Sequence, residues 1–235
     1  MKTQELKYDS IVAIILSFIG GILDIYCLIN FDLYATLHTG NMIKLATYFI
    51  DKDSFMFLTT TLILLSFGIG IYLANVIENR NKKENTRELF IVSIVILVMA
   101  MLIPNDAPQG VLSVAKMIAA VLFGLEGAFI IHSFVSFDEF KFSATTMTAN
   151  INRLVTNIYN KSHDKEKKKS YGISTYIFIF IAFLLGVALG YLYLTHIVFL
   201  NNKFLDLYKY NLLIVVPIIL MFICMHISKK RQFNS

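Results

Sequence analysis

The chain has 235 residues, of which 57% are hydrophobic and only 16% are charged, and its mean hydropathy is +0.66. Soluble domains have roughly 45–50% apolar and about 25% charged residues, so this composition excludes an ordinary soluble globular protein and predicts that the bilayer is the solvent. The net charge of +5 would suit a nucleic-acid partner. However, the basic residues lie in short stretches between apolar segments, a pattern that indicates membrane orientation instead.

Six long apolar stretches follow one another along the chain and predict six membrane-crossing helices. They are Ile11–Phe31, Phe55–Ile77, Leu89–Ile103, Val111–Val135, Ile173–His196 and Leu212–Ile227. The third is shorter than the roughly 20 residues that a crossing helix needs, so its flanking residues would have to reach the interfaces. The first carries Asp24 and has no small-residue cleavage site. We therefore expect a resident helix there rather than a cleaved signal peptide.

Two shorter and more polar segments, Thr39–Ile50 and Thr148–Tyr159, lie between these stretches. If neither crosses, 16 of the 21 Lys and Arg residues fall on one side and four on the other, with Lys116 inside a span. If both cross, the basic clusters at 80–87 and 161–169 fall on opposite sides and the bias largely disappears. The positive-inside rule therefore predicts six crossings of a bacterial cytoplasmic membrane, both termini in the cytoplasm, and two re-entrant half-helices.

The two polar segments resemble each other at a constant offset of 109 residues. Four identities and two conservative matches occur within nine positions. The residues are Thr39, Gly40, Asn41, Lys44, Leu45 and Thr47 in the first segment, and Thr148, Ala149, Asn150, Arg153, Leu154 and Thr156 in the second. Such self-similarity indicates an internal repeat.

Small-residue ladders extend the repeat into the helices that follow. Ser66, Gly70 and Ala74 match Ala182, Gly186 and Gly190 at an offset of 116 residues, a spacing that also serves ordinary helix packing. Three crossings per half is an odd number, so the halves must have opposite orientations. We expect one all-α membrane domain over 1–235, built as a 3+3 inverted repeat of 11–103 and 111–227, an architecture that many secondary transporters use.

The motifs also carry a family resemblance. Gly21-Ile22-Leu23-Asp24 precedes Thr39-Gly40-Asn41 with Lys44 three residues on, and a related pattern returns as Gly124-Leu125-Glu126 before Thr148-Ala149-Asn150 with Arg153. Over nearly the whole chain this arrangement resembles the YoaK family of bacterial multi-pass membrane proteins, the domain of unknown function 1275. Ala149 stands where the pattern has a glycine, and Gly127 where it has an amide side chain. The resemblance implies the fold and the membrane location, and it supplies no activity.

Asp24 and Glu126 are acids within apolar spans, where a charge costs about 2.5–3.5 kcal/mol on insertion scales. We expect each to face a cavity or a partner, and the repeat makes Lys44 and Arg153 the natural partners. Three roles stay open at this point: a structural ion pair, ion or proton coupling, and a protonated carboxyl without a function.

The starts of the two short helices are the predicted solute site, because free backbone N–H groups and the positive end of the helix dipole favour anions there. The alternative is that Thr39 and Thr148 merely cap these helices. The predicted binding residues are Thr39, Gly40, Asn41, Lys44, Thr148, Asn150 and Arg153, with Asn41 facing Asn150 near the midplane. This set would suit an anionic or zwitterionic solute, with Asp24 and Glu126 for ion or proton coupling.

Motifs of soluble enzymes do not occur: there is no phosphate-binding loop, zinc-protease helix or nucleophile elbow. The histidines His38, His132, His196 and His226 share no metal-ligand spacing, and we expect them to be packed or interfacial. We therefore expect a transporter or channel without metal or cofactor, whose partners are membrane lipids and a small solute. A homo-oligomer stays open, as do two other functions: an intramembrane enzyme acting on a lipid, and a non-catalytic scaffold or sensor.

Overall fold

The computed structural model describes residues 2–80, 85–104, 109–133, 147–163, 173–196 and 210–234. These residues form only helices and the loops between them, which confirms the all-α prediction. The helices are α1 (Lys2–Phe31), α2 (His38–Ile50), α3 (Ser54–Arg80), α4 (Asn85–Met101), α5 (Gln109–His132), α6 (Met147–His163), α7 (Ile173–His196) and α8 (Val215–Asn234), the last preceded by a 3₁₀ turn at Asn211–Ile214.

Five helices in the described part of the chain are long and apolar enough to cross a membrane. Their spans are Ser10–Phe31, Ser54–Asn79, Ser113–His132, Ile173–His196 and Asn211–Ser228, in agreement with five of the six predicted spans. The remaining one, α4, has 17 residues and a length of about 26 Å, which is short of a full crossing. Large apolar side chains are exposed along α7, and Phe178, Leu185 and Leu189 are each 51–55% exposed. The chain is therefore a helical membrane protein.

Two pairs of parallel helices form the centre of the protein. Along α1 and α7, Ser10 lies beside Thr175, and Gly21 lies against the backbone of Phe183. Along α3 and α5, Gly124 lies against the backbone of Ile63. A Cβ at either glycine would overlap the facing carbonyl oxygen, so only glycine permits this close approach. The other helices pack around these pairs: α2 on α3, α4 on α5 and α8, α6 on α7, and α8 on α1.

A single buried amide joins three helices near the end of α1. The hydroxyl of Tyr26 donates to Oδ1 of Asn211 at 2.5 Å. The Nδ2 of Asn211 donates in turn to the carbonyl oxygens of Met101 at 2.8 Å and Ile103 at 2.6 Å. This network ties α1 to the end of α4 and to the turn that leads into α8.

After α1 the chain turns back towards the middle of the bundle. Asp32 has a φ of 54°, a left-handed conformation that reverses the chain direction. The ring of His38, at the start of α2, stacks on Phe67 in the middle of α3 with the ring centroids 3.6 Å apart. At the other end of α2, Phe49 lies 5.8 Å from Phe57 near the start of α3. Residues 32–50 thus descend and return along the first half of α3, and we call them the re-entrant unit.

The first turns of α3, against which α2 packs, carry three consecutive threonines. The hydroxyls of Thr59, Thr60 and Thr61 each donate to the carbonyl oxygen four residues earlier in the same helix, at 2.7–2.8 Å. Hydroxyl groups that bond their own helix in this way need no partner from a neighbouring element.

Candidate functional site

Asp24 is held by the descending part of the re-entrant unit. The backbone N–H of Thr36 donates to Oδ1 of Asp24 at 2.7 Å, and the Thr36 hydroxyl donates to Oδ2 at 2.6 Å. Both residues are buried. Because Asp24 lies seven residues before the end of α1, these bonds fix irregular backbone about 10 Å below the end of the helix. Such backbone is tolerated at depth only where protein buries it or a cavity reaches it.

Gly40 and Asn41 of the predicted site build the re-entrant unit itself. The Asn41 side chain, which is fully buried, accepts from the backbone N–H of Tyr34 at 2.8 Å and donates to the Tyr34 carbonyl oxygen at 2.7 Å. Gly40 provides the space for the Tyr34 ring, because a Cβ there would lie 2.8 Å from two of the ring carbons. Both polar atoms of the Asn41 amide therefore serve the protein's own backbone.

Lys44 does not pair with Asp24, so that predicted partnership is wrong. Its Nζ forms an ion pair with the Asp32 carboxylate and donates to the Asp32 carbonyl oxygen at 2.9 Å. The Tyr48 hydroxyl also bonds the Asp32 carboxylate, and burial together with this carboxylate raises the pKa of Tyr48. The chain reversal at Asp32 brings this acid closer to α2 than the deeper Asp24.

The start of α2 leaves few free donors for an anion. The N-cap residue is Leu37, without a side-chain cap, and Thr39 is the second residue of the helix with an exposed side chain, so Thr39 does not cap α2. The N–H of His38 donates to the Thr36 carbonyl oxygen at 3.1 Å, and that of Gly40 donates to the Leu37 carbonyl oxygen at 2.9 Å. The loop thus satisfies its own helix start.

The second polar segment forms α6, which packs on α7 of the α1–α7 pair. Asn150 is buried and lines a cleft of about 160 Å³ with Tyr176 and Phe180 of α7. Arg153 is half-buried and close enough to Tyr176 for an electrostatic interaction. The side chain of Thr148 lies outside the described part of the structure. Because α2 packs on α3 and α6 on α7, no extensive contact brings Asn41 to Asn150 among the described residues.

Glu126 differs from Asp24 in its surroundings. It is fully buried on α5, and neither carboxylate oxygen has a hydrogen-bond partner among the described residues. Ser93 of α4 faces the carboxyl group, yet no hydrogen bond of good geometry joins the two side chains. The next residue, Gly127, lies against the Ala35 carbonyl oxygen of the re-entrant unit, and a Cβ there would lie 3.2 Å from Nε2 of His38.

The structure therefore brings together one layer of polar groups where α1, α5 and the re-entrant unit meet. This polar layer consists of the buried Asp24, Thr36 and Glu126 and of His38, whose ring nitrogens are buried, and Ser93 of α4 faces the Glu126 carboxyl group. Sequence reasoning missed Thr36, His38 and Ser93. The sequence carried one indication for Thr36: the pair Ala35-Thr36 recurs as Ala144-Thr145 at the same offset of 109. Both residues of this second pair lie outside the described part of the structure.

A metal centre is not suggested by the side chains that the structure describes. Among them, no group of three or more His, Cys, Asp and Glu residues could hold a metal ion.

The comparisons with known proteins give one match. A family model described as a protein of unknown function (DUF1275) matches residues 12–229, which confirms the resemblance drawn from the sequence motifs. No curated protein and no solved structure matches the chain.

Proposed function

This chain belongs to the DUF1275 family, and we propose that it is a transporter or channel for a small polar solute, built as an inverted repeat with three crossings in each half. The observation that carries the proposal is the re-entrant unit, whose irregular backbone is hydrogen-bonded to a buried acid between two close-packed helix pairs. Membrane proteins use this feature where a solute or ion has to bind at depth.

Equivalent glycine contacts support the repeat. Gly21 lies against the carbonyl of Phe183, and Gly124 lies against the carbonyl of Ile63. The two glycines are 103 residues apart, and their two partners are 120 residues apart. The contact of α1 with α7 thus corresponds to that of α5 with α3. The first contact joins a glycine of the first half to the second half, and the second joins a glycine of the second half to the first half, as a two-fold axis requires.

A second pair of contacts gives the same two offsets. Gly190 lies against Ile22 and Ile25, and Gly70 lies against Leu125 and Ala128. On this basis, Gly70 corresponds to Gly190, an offset of 120 rather than the 116 that the small-residue ladders suggested. We therefore propose the alignment at 120, which differs from the ladder alignment by one helical turn, because residues four apart lie on the same helix face.

The two buried acids are 102 residues apart and do not match each other at the offset of 103 that relates α1 to α5. At 103 residues, Asp24 corresponds to Gly127, and Glu126 corresponds to Leu23. The acids are thus one position out of register between the halves, which agrees with their different environments. We propose that they have different roles: Asp24 anchors the re-entrant unit, and Glu126 serves ion or proton coupling.

The charges of the described interior favour a zwitterionic or cationic solute over a simple anion. The two carboxyl groups of the polar layer, Asp24 and Glu126, are buried, whereas Lys44 is already paired with Asp32. We propose that the solute binds beside this layer, rather than between the two helix starts that the sequence predicted. Arg153 and Asn150 remain candidates for a second contact along the path.

Membrane orientation is the remaining part of the proposal. We propose that the protein lies in a bacterial cytoplasmic membrane with both termini inside, because 16 basic residues would then face the cytoplasm. Cys27 and Cys224 are buried, so single cysteines introduced at 81–84 or 164–170 can be labelled selectively. A membrane-impermeant reagent added to intact cells is expected to spare them, and strong labelling of either loop would contradict the six-crossing topology.

Transport is tested by a ligand screen followed by flux measurements. Thermal shift of the purified protein with sets of amines, amino acids and organic acids is followed by uptake of the best hit into proteoliposomes. Thr36→Val, which removes the hydroxyl bonded to Asp24, is expected to reduce uptake, whereas Thr36→Ser retains it. Binding without uptake would reject the transport proposal, and chemical conversion of a lipid without uptake would favour the enzyme alternative.

A further inference from the structure

Glu126 is the acid of the polar layer whose carboxyl group has no hydrogen-bond partner among the described residues. Asp24, which is equally deep, has both carboxylate oxygens bonded by Thr36. Glu126 is also fully buried, yet both of its carboxylate oxygens and the facing Ser93 hydroxyl lack hydrogen-bond partners among the described residues. A buried carboxylate without partners is strongly unfavourable. In this arrangement, Glu126 is therefore stable only with a proton or another cation on the carboxyl group.

No basic side chain forms a hydrogen bond or an ion pair with Glu126 in the described part of the structure. The titratable groups of the neighbouring elements are Asp24, Tyr26 and Cys27 on α1 and His38 on the re-entrant unit. The described titratable groups of α3 and α4 lie towards their ends or on exposed faces, at Tyr72, Glu78, Arg87 and Glu88, and those of α5 itself are Lys116 and His132. None of these is in contact with the Glu126 carboxyl group in the form of a hydrogen bond or ion pair.

His38 gives the layer a second uncommitted group. Both of its ring nitrogens are buried without a hydrogen-bond partner among the described residues, and its Nε2 lies beside Gly127, next along the chain from Glu126. A ring held by stacking on Phe67 keeps its position without using its nitrogens. One acid and one imidazole, both without a hydrogen-bond partner among the described residues, thus belong to the polar layer, with the acid facing Ser93 and the imidazole beside Gly127.

We propose that Glu126 is a proton-exchange site within the membrane. The carboxyl group holds a proton in the closed arrangement of this structure. When a conformational change admits water, the O–H bond breaks, the proton passes to water, and the carboxylate remains until it is protonated again. This inference deepens the proposed function, in which Glu126 is the coupling residue, but proton exchange can be measured without knowing the solute.

Infrared spectroscopy of the full-length protein in lipid nanodiscs tests this proposal. A protonated buried carboxyl group gives a carbonyl stretching band that shifts when deuterium replaces the proton. We expect such a band in the wild type, its exchange in deuterated buffer, and its loss at alkaline pH. Glu126→Gln is expected to remove the band. Glu78→Gln is the matched control, because Glu78 is paired with His132 near the end of α3, and this change is expected to leave the band intact.

Several results would overturn the proposal. A band that survives Glu126→Gln would assign the proton to another residue. A Glu126 band that resists both deuterium and alkaline pH would mean a permanently neutral buried acid. If Glu126→Gln fails to fold, Glu126→Asp provides the same assignment, since moving the carboxyl group by one methylene changes its surroundings and is expected to shift the frequency, and an unshifted band would count against Glu126.

The outcome is separable from that of the transport proposal. A band that exchanges, in a protein without measurable flux, would support the proton site and reject transport. Flux that does not depend on pH, together with a band that never exchanges, would support transport and reject the proton site.

Discussion

The contact between Gly40 and the Tyr34 ring makes a strong prediction about the re-entrant unit. In the second half of the chain, alanine stands in place of this glycine, at Ala149, and serine in place of the tyrosine, at Ser143, both at an offset of 109. The second half thus has a small side chain in place of the tyrosine ring and an alanine Cβ in place of the glycine. We predict that the two positions are coupled, so that Gly40→Ala destabilises the wild type but not a Tyr34→Ser background.

The expected magnitude follows from the geometry. An alanine Cβ would lie 2.8 Å from the Tyr34 ring carbons, about 1 Å closer than normal carbon–carbon contact. Overpacking of this kind costs about 1–3 kcal/mol, and glycine-to-alanine replacement at a compatible position returns about 0.4–1 kcal/mol. We therefore expect a net loss of about 1–2 kcal/mol in the wild type and a gain of about 0.4–1 kcal/mol once the ring is absent.

A double-mutant cycle in detergent measures this coupling. Unfolding can be followed with a thiol-reactive dye, because Cys27 and Cys224 are both buried and become reactive only when the protein opens. For a chain of this size, about 1 kcal/mol corresponds to a shift of roughly 2–4 °C in Tm. Gly68→Ala is the control, since nothing lies within 4 Å of a Cβ at that helical position. Equal destabilisation by Gly40→Ala in both backgrounds would refute the reasoning.

The same assay tests three further contacts. Asp24→Leu leaves two buried donors of Thr36 without an acceptor and is expected to cost about 1–3 kcal/mol; an unchanged Tm would contradict the anchoring role. Tyr26→Phe removes the donor to Asn211 and is expected to cost about 0.5–1.5 kcal/mol, and wild-type stability would make that network irrelevant. Gly124→Ala would overlap the facing backbone of α3; we expect a loss of at least about 1–3 kcal/mol, and tolerance would argue against the close helix packing.

The helices that are long and apolar enough to cross a membrane could largely be predicted from the sequence, because a bilayer requires a long apolar stretch, which is visible locally in the sequence. The predicted Thr39–Ile50 differs from α2 by a single residue. The prediction of a crossing helix is least secure for α4, because its 17 residues are fewer than the roughly 20 that a crossing helix needs.

The partners of the polar residues could not be predicted, because they depend on where an irregular loop travels. The repeat placed Lys44 near Asp24, but the reversal at Asp32 supplies a nearer acid. Similarly, Thr36, twelve residues after Asp24 in the sequence, bonds this acid only because the chain after α1 turns back alongside the helix. Motif recurrence identified which segment was unusual, while the hydrogen bonds show that its Gly40 and Asn41 maintain the loop rather than offer a free site.

The threonine hydroxyls of α3 have a mechanical consequence. In the described residues, the hydrogen bonds of the re-entrant unit run within the unit or to α1, whereas α2 contacts α3 through rings such as Phe49 on Phe57. Since Thr59, Thr60 and Thr61 bond their own helix, a displacement between α2 and α3 breaks no hydrogen bond between them. Among the described residues, the contact between α2 and α3 therefore depends on side-chain packing, whereas the contact of the re-entrant unit with α1 is hydrogen-bonded.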